Sequence, residues 1–111
     1  MKYLIDTNVC IKYLNGTSNS IYKKMTGLSP LEINLCSVVK SELFAEAYKI
    51  KSPQRTIKKL NQFFEVFESL LFDDKAANIY GKIRSQLESK GKVIGPYDMQ
   101  IDSIAIANKL I

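Results

Sequence analysis

The chain has 111 residues, no histidine and a net charge of +5 at pH 7. Without histidine, imidazole-based triads and general bases are excluded, so any chemistry has to use carboxylates, hydroxyls, lysines, tyrosines or a hard metal ion. A composition of 46% hydrophobic and 24% charged residues indicates one globular domain over residues 1–111, and the positive charge favours a polyanionic partner such as nucleic acid.

The first half of the chain alternates apolar runs with helix signals. Tyr3-Leu4-Ile5 predicts a buried strand, and residues 9–14 predict a short helix. Residues 33–36 predict a second strand, which leads into a helix over about 38–49 with Ser37 as its N-cap.

The second half repeats this alternation. Its predicted elements are a helix from Pro53 to about residue 64, a strand candidate over 66–71, a helix over 75–90 and a helix over 98–110. Asp73 or Asp74 is expected to cap the helix over 75–90. Strands that alternate with helices predict an α/β fold with a parallel sheet.

Three carboxylates, Asp6, Glu42 and Asp98, are candidates for a shared site. Asp6 follows the first predicted strand, and parallel sheets bind ligands beyond the carboxyl ends of their strands. Converging carboxylates repel one another unless a cation lies between them, and oxygen ligands select Mg²⁺ or Mn²⁺. A water bound to such an ion can attack a phosphodiester without histidine. Each residue also has an ordinary interpretation, with Asp6 and Asp98 as helix caps and Glu42 as an exposed helix glutamate.

Three motifs along the chain resemble those of the PIN-domain family, and the third is similar to VapC toxins that cleave tRNA. They are Tyr3-Leu4-Ile5-Asp6-Thr7-Asn8, Ser37-Val38-Val39-Lys40-Ser41-Glu42-Leu43 and Ile94-Gly95-Pro96-Tyr97-Asp98. The resemblance implies a three-layer α/β/α fold around a central parallel sheet. It also implies that Asp6, Glu42 and Asp98 are the acidic metal ligands of a Mg²⁺- or Mn²⁺-dependent endoribonuclease.

The same resemblance implies a biological setting. Such a protein is the toxin of a type II toxin–antitoxin pair, cleaves structured RNA such as tRNA, is blocked by a protein antitoxin and forms a homodimer. The first apolar run is too short for a secretory signal, and no run is long enough for a bilayer span, so we expect a cytoplasmic protein.

Two departures from the family pattern stand out. Asp102 replaces the usual small residue, and it shares a helix face with Asp98 four positions earlier. It is either an extra metal ligand or a solvent-facing aspartate. The family also continues with a strand beside the first one and a fourth acidic residue, whereas this sequence ends at Leu110-Ile111. We therefore expect a single PIN-like domain that is truncated at its C-terminus and lacks the last strand.

The surroundings of these motifs are basic and aromatic. One basic cluster consists of Lys49, Lys51, Arg55, Lys58 and Lys59, and the other of Lys82, Arg84, Lys90 and Lys92. Either cluster is a candidate RNA path or a solvated helix face. Phe63, Phe64, Phe67, Phe72, Cys10 and Cys36 are expected in the core. Tyr97 is also expected to pack in the core, although it adjoins Asp98 and is placed to contact a substrate.

Two other functions stay open from the sequence. The first is a catalytically impaired PIN remnant that acts as an antitoxin- or RNA-binding module, because no residue matches the fourth acidic position. The second is a phosphoryl-transfer domain with Asp6 as the nucleophile, but the partner carboxylates and the lysine that such domains need have no convincing match.

Overall fold

The computed structural model describes residues 2–92 and 94–110. The expected domain limits, Met1 and Ile111, lie outside the described residues. The elements are β1 (Tyr3–Leu4), α1 (Thr7–Asn15), α2 (Asn19–Thr26), β2 (Ile33–Cys36), α3 (Ser37–Tyr48), α4 (Gln54–Phe64), β3 (Glu68–Leu70), α5 (Asp74–Ser89) and α6 (Pro96–Ala107). A 3-10 turn at Pro30–Glu32 precedes β2.

The described strands form one parallel sheet in the order β1-β2-β3. Tyr3 pairs with Ile33, and Cys36 pairs with Leu70. Helices connect successive strands and cover the sheet in a three-layer α/β/α arrangement. The predicted parallel α/β fold is therefore confirmed.

Strand β2 is the central strand, and all four of its residues are buried. Such burial on both faces explains why Ile33-Asn34-Leu35-Cys36 is almost continuously apolar. Asn34 is the exception, and its side-chain nitrogen has no hydrogen-bond partner within the described part of the chain. Strand β2 ends where α3 begins, so it carries the start of α3 to the carboxyl end of the sheet.

Helices α1, α3, α5 and α6 begin one or two residues earlier than predicted, and in α3 and α6 this changes the residue at the cap. Ser37 is already helical in α3, and extended Cys36 occupies the cap position, so the prediction of Ser37 as N-cap is wrong. The reason is that β2 runs into α3 with no intervening loop residue. Helix α6 begins at Pro96 because proline has the helical φ and needs no backbone donor there, which places Asp98 in the first turn and not at the cap.

The hydrophobic core forms around the sheet as expected. Cys10, Cys36 and Phe64 are buried in it. The remaining core phenylalanines, Phe63, Phe67 and Phe72, pack against this cluster. Asp73 caps α5 by accepting a 3.0 Å hydrogen bond from the Ala76 amide, which settles the choice between Asp73 and Asp74.

Tyr97 does not pack in the core, so that prediction is wrong. Its residue surface is 59% exposed. It lies in the first turn of α6, whose buried residues begin only at Met99. Among the described helices, none is both long and apolar enough to cross a membrane.

Candidate active site

Asp6 lies between β1 and α1, at the carboxyl end of the first strand. Its Oδ1 accepts a 2.9 Å hydrogen bond from the Val9 amide, so it caps α1 as one of its two interpretations requires. The capping bond occupies Oδ1, and no hydrogen bond of the described residues reaches Oδ2. Because the residue is exposed, that second oxygen remains accessible to a ligand.

Glu42 is held from across the fold. The Thr7 hydroxyl donates a 2.9 Å hydrogen bond to Glu42 Oε1, joining the start of α1 to the middle of α3. Glu42 is half-buried, so it is not the freely exposed helix glutamate of the alternative interpretation. Thr7 follows Asp6 directly, and this bond therefore brings Glu42 to the end of the sheet where Asp6 lies.

Asp98 and Asp102 are one turn apart on α6. Burial raises the pKa of the Asp102 carboxyl above its ordinary value, and the negative charges of Asp98 and Asp6 raise it further. Asp98 and Asp6 are therefore each close enough to Asp102 to act on its carboxyl. Asp102 is itself exposed, as its solvent-facing interpretation requires, but it lies near Asp98 and Asp6 and so within reach of the predicted site.

Two cavities border these carboxylates. Asp6 and Asp102 line one of about 370 Å³, together with Lys24 and apolar side chains of β1, α2 and α6. The Lys24 ammonium lies 5.1 Å from the centre of the Tyr3 ring. Glu42 lines a different cavity, between α3 and α6.

The chemistry of these donors fits a hard divalent cation. All four side chains offer carboxylate oxygens, which Mg²⁺ and Mn²⁺ prefer, and a cation relieves the repulsion that raises the Asp102 pKa. However, within residues 2–92 and 94–110 no three Asp, Glu or Cys side chains lie close enough together to hold a metal ion. The structure thus brings Asp6, Asp98 and Asp102 within electrostatic range and ties Glu42 to their neighbourhood without forming a closed ligand shell.

The cysteines take no part in this site. Both are buried and free. Burial, followed by the charge of Asp6, raises the pKa of Cys10 to about 12, and burial also raises the pKa of Cys36. Both thiols therefore stay protonated and unsuited to metal binding or nucleophilic attack.

Basic side chains of α5 and of the segment after it lie beside the start of α6. Arg84 and Lys92, of the second basic cluster, line a cleft with Pro96 at the start of α6. Arg84 Nε also bonds Glu88 Oε1 at 2.8 Å. The first cluster is equally exposed, and its Lys49 pairs with Glu46 at 3.0 Å. The second cluster thus shares a cavity with the helix that carries Asp98.

Thr7 is the site residue that sequence reasoning missed. It stands inside the first motif, between Asp6 and Asn8, but was not assigned a role. A hydroxyl beside a candidate metal carboxylate is a signal for an outer-shell hydrogen bond. Its partner, 35 residues away, becomes identifiable only from the packing of α1 on α3.

Comparison with known proteins places this arrangement in context. Residues 3–111 match the family described as PIN domain. Ribonuclease VapC2 of Rickettsia felis is 35% identical over 108 residues, which is 96% of this chain and 81% of that protein. The tRNA(fMet)-specific endonuclease VapC of Shigella flexneri is 30% identical over 111 residues, covering 100% of this chain and 83% of that protein. The crystal structure of DNA-bound VapBC from Salmonella typhimurium matches this fold with a TM-score of 0.90 and 30% sequence identity. The match covers 99% of this chain and 83% of the chain in that structure.

Proposed function

This chain belongs to the PIN-domain family, and from that premise we propose that it is the endoribonuclease toxin of a type II toxin–antitoxin pair. Its substrate is structured RNA such as tRNA, its place of action is the cytoplasm, and residues 1–111 act as a single PIN-like domain. The observation that carries the proposal is geometric: Asp6 and Asp102 line one cavity at the carboxyl end of β1, and the Thr7 hydroxyl holds Glu42 toward the same end of the sheet.

PIN-domain nucleases generally use divalent metal ions. In this chain the ion is Mg²⁺ or Mn²⁺, held by Asp6, Glu42 and Asp98, with Asp102 as an additional carboxylate. An ion bound by these residues would supply Lewis acidity toward a phosphodiester and would make a bound water molecule easier to deprotonate. The Thr7 hydroxyl orients Glu42, and capping of α1 orients Asp6. Arg84 and Lys92 neutralise phosphates of the RNA as it approaches α6.

The partners follow from the same family. VapBC assemblies are among the structures that this fold matches, so a protein antitoxin is the expected inhibitor of the chain. The active form is a homodimer. Light scattering of the purified chain, alone and after co-expression with the product of a neighbouring gene, measures both associations.

One observation favours a second function. The carboxylates do not form a closed ligand group within the described residues. A catalytically impaired PIN remnant that binds RNA or an antitoxin without cleaving RNA is consistent with that spacing. Catalysis and binding therefore have to be measured separately.

Asp98→Asn tests the proposed function, and Asp74→Asn is the matched control. Both aspartates are exposed in the first turn of a helix, α6 and α5 respectively. Cleavage of labelled tRNA with Mn²⁺ is expected to fall about 100-fold or more in Asp98→Asn, because a metal carboxylate is lost, and to persist in Asp74→Asn. Equal cleavage by both variants would contradict the assignment of Asp98. RNA binding by the wild-type chain with no cleavage under Mg²⁺ or Mn²⁺ would favour the binding module.

A further inference from the structure

A groove between α3 and α6 borders the candidate active site and has no part in holding the metal except through Glu42. Its volume is about 360 Å³, within the range of small-ligand pockets. Its lining residues are Val38, Ser41, Glu42, Ala45, Tyr97 and Gln100. We propose that this groove binds one unstacked nucleobase of the RNA substrate, with the base against the Tyr97 ring. The inference rests on the proposed function, since it names where that substrate is recognised.

The Tyr97 ring is suited to stacking because it is exposed and unpaired. It is 59% exposed in the first turn of α6. Within residues 2–92 and 94–110 it stacks on no other aromatic ring, whereas Tyr13 stacks on Tyr22 and Tyr80 packs edge-on to Phe72. Every nucleobase presents a face to such a ring, so aromatic side chains are general platforms for single-stranded RNA.

The groove also carries polar groups that can read the edge of a base. Gln100 lies three positions after Tyr97 on the same helix face, and its amide offers both a donor and an acceptor. No hydrogen bond of the described residues uses that amide or the Tyr97 hydroxyl. The Ser41 hydroxyl donates to the Ser37 carbonyl at 2.8 Å and keeps its own lone pairs for a further bond.

The charge of the groove favours a base over a phosphate. Among the lining residues, Glu42 is the only acidic or basic one. Val38 and Ala45 form an apolar part of the wall. A carboxylate repels phosphate, while a neutral heteroaromatic ring meets no such penalty. One oxygen of Glu42 already accepts a hydrogen bond from the Thr7 hydroxyl, which holds the carboxylate toward the start of α1.

The position of the groove connects recognition to cleavage. Tyr97 directly precedes Asp98, and Glu42 belongs both to the groove wall and to the candidate ligand set. A base held on Tyr97 therefore places its adjoining phosphate beside the carboxylates, where the cation of the proposed function would offset the repulsion between them. Because a base inside a duplex is inaccessible, the groove selects a loop or an unpaired position.

Fluorescence gives a direct test because the chain has no tryptophan. Tyr97→Trp installs a single reporter in the groove, and Tyr48→Trp installs one at another exposed tyrosine, outside it. An RNA hairpin with an unpaired loop is added in buffer containing EDTA, so that binding is measured without cleavage. Quenching is expected in Tyr97→Trp and not in Tyr48→Trp, because only the first indole stacks on a base.

Affinity measurements separate stacking from general attraction to RNA. Tyr97→Ala is expected to weaken hairpin binding about tenfold, while Tyr97→Phe keeps the wild-type affinity because the ring is retained. A hairpin with an abasic loop position should bind wild type and Tyr97→Ala equally. Gln100→Ala is expected to reduce the difference in affinity among hairpins that vary the base at that position.

Equal quenching of both tryptophan reporters, or wild-type affinity in Tyr97→Ala, overturns the proposal. So does a change of oligomeric state in Tyr97→Ala without loss of RNA affinity, since the groove is then an interface with a second copy. The proposed function is tested by a different result. If the Tyr97→Trp reporter is quenched but no Mn²⁺-dependent cleavage is found, the proposed function fails and this inference stands. If RNA is cleaved but the reporter is not quenched, only this inference fails.

Discussion

The hydrogen bond from Thr7 to Glu42 is the contact through which one residue sets the geometry of the candidate site. Removing the hydroxyl in Thr7→Val leaves Glu42 free to rotate away from Asp6. We expect Mn²⁺ affinity to fall about 10- to 100-fold, as is usual when an outer-shell partner of a metal ligand is lost.

Calorimetric titration of Mn²⁺ into the RNA-free protein measures this effect without depending on activity. Thr7→Ser keeps the hydroxyl and is the matched control, so it should retain the affinity. If Thr7→Val binds Mn²⁺ as tightly as Thr7→Ser, the bond has no role in orienting the ligand.

Asp102 makes a prediction about stability and pH. Burial and the charges of Asp98 and Asp6 raise the pKa of Asp102 in the folded chain above its ordinary value of 3.8. The protonated carboxyl is therefore more favoured in the folded chain than in the unfolded chain. The free energy of unfolding falls as the pH rises through the folded pKa. Without metal, Asp102→Asn should unfold at a higher temperature than wild type at neutral pH, and the difference should vanish near the ordinary pKa.

Thermal unfolding in EDTA at the two pH values checks this, with Glu68→Gln as the control at an exposed carboxylate of β3. Saturating Mn²⁺ should raise the unfolding temperature of wild type more than that of Asp102→Asn. A ligand that binds the folded state stabilises it more when the binding is tighter. A temperature difference that is the same at both pH values would contradict the argument.

Single residues differ in how far the sequence reveals them. Asp6, Glu42 and Asp98 were identifiable because each stands in a motif, although their role as metal ligands stays a prediction. The sequence does not identify Glu42 as the hydrogen-bond partner of Thr7, since the bond spans 35 residues and depends on helix packing. The sequence analysis places Tyr97 in the core, but the first turn of α6 lies ahead of that helix's buried residues, which leaves the ring exposed.

Helix α1 ends at a glycine whose backbone only glycine adopts readily. Gly16 has φ +64°, and its amide donates to carbonyls of the last turn. Gly16→Ala is expected to cost about 1 kcal/mol, although nothing lies within 4 Å of the new methyl group. This corresponds to a fall of about 4 °C in Tm for a chain of this size.

Gly81→Ala is the matched control within a helix. Gly81 lies inside α5 with equally open space around a new Cβ but without a positive φ. Alanine there should raise stability by about 0.5–1 kcal/mol, because glycine loses more entropy in a helix. Calorimetry on both variants measures the two opposite shifts, and shifts of the same sign would contradict the conformational argument.

The elements themselves were largely predictable. The strand over residues 33–36 was predicted at its observed bounds, because a fully buried strand is an apolar run between turn signals. The edge strands came out shorter than their apolar runs, as for β3 at Glu68–Leu70 against the predicted 66–71. Backbone pairing decides where a strand ends, so among the predicted residues outside β3 only Phe67 packs against the core, whereas Val66 and Leu71 are exposed.

For the molecule as a whole, the net charge of +5 predicts RNA binding that weakens with salt. Lys92 shares a cleft with the start of α6, and Lys90, two residues earlier, is the C-cap of α5. Replacing both by glutamine should lower the slope of log affinity against log salt concentration by about 1.4, since each phosphate contact on single strands contributes about 0.7.

The control pair is Lys58→Gln with Lys59→Gln, in the first basic cluster on α4. These changes remove the same number of positive charges as the first pair. If the RNA passes over α5 and α6, they should nevertheless leave the slope near that of wild type. Equal effects of the two pairs would indicate attraction by net charge alone.

The overall architecture was predictable from the alternation of strands and helices, which leads to a parallel sheet, and from the family resemblance, which supplied the three layers. The spacing of the carboxylates was not. Their approach depends on where α6 lies relative to β1, and nothing local in the sequence encodes that distance.

The protonated, inaccessible thiols of Cys10 and Cys36 have a practical consequence for following this molecule in solution. Maleimide reagents couple to accessible thiolates, so a cysteine engineered onto the surface will be labelled far faster than either native one. Spin labels or dyes can thus be attached at chosen points around the groove and the cleft. Movements of α6 toward α3 can then be followed by distance measurements in a background that keeps both native cysteines.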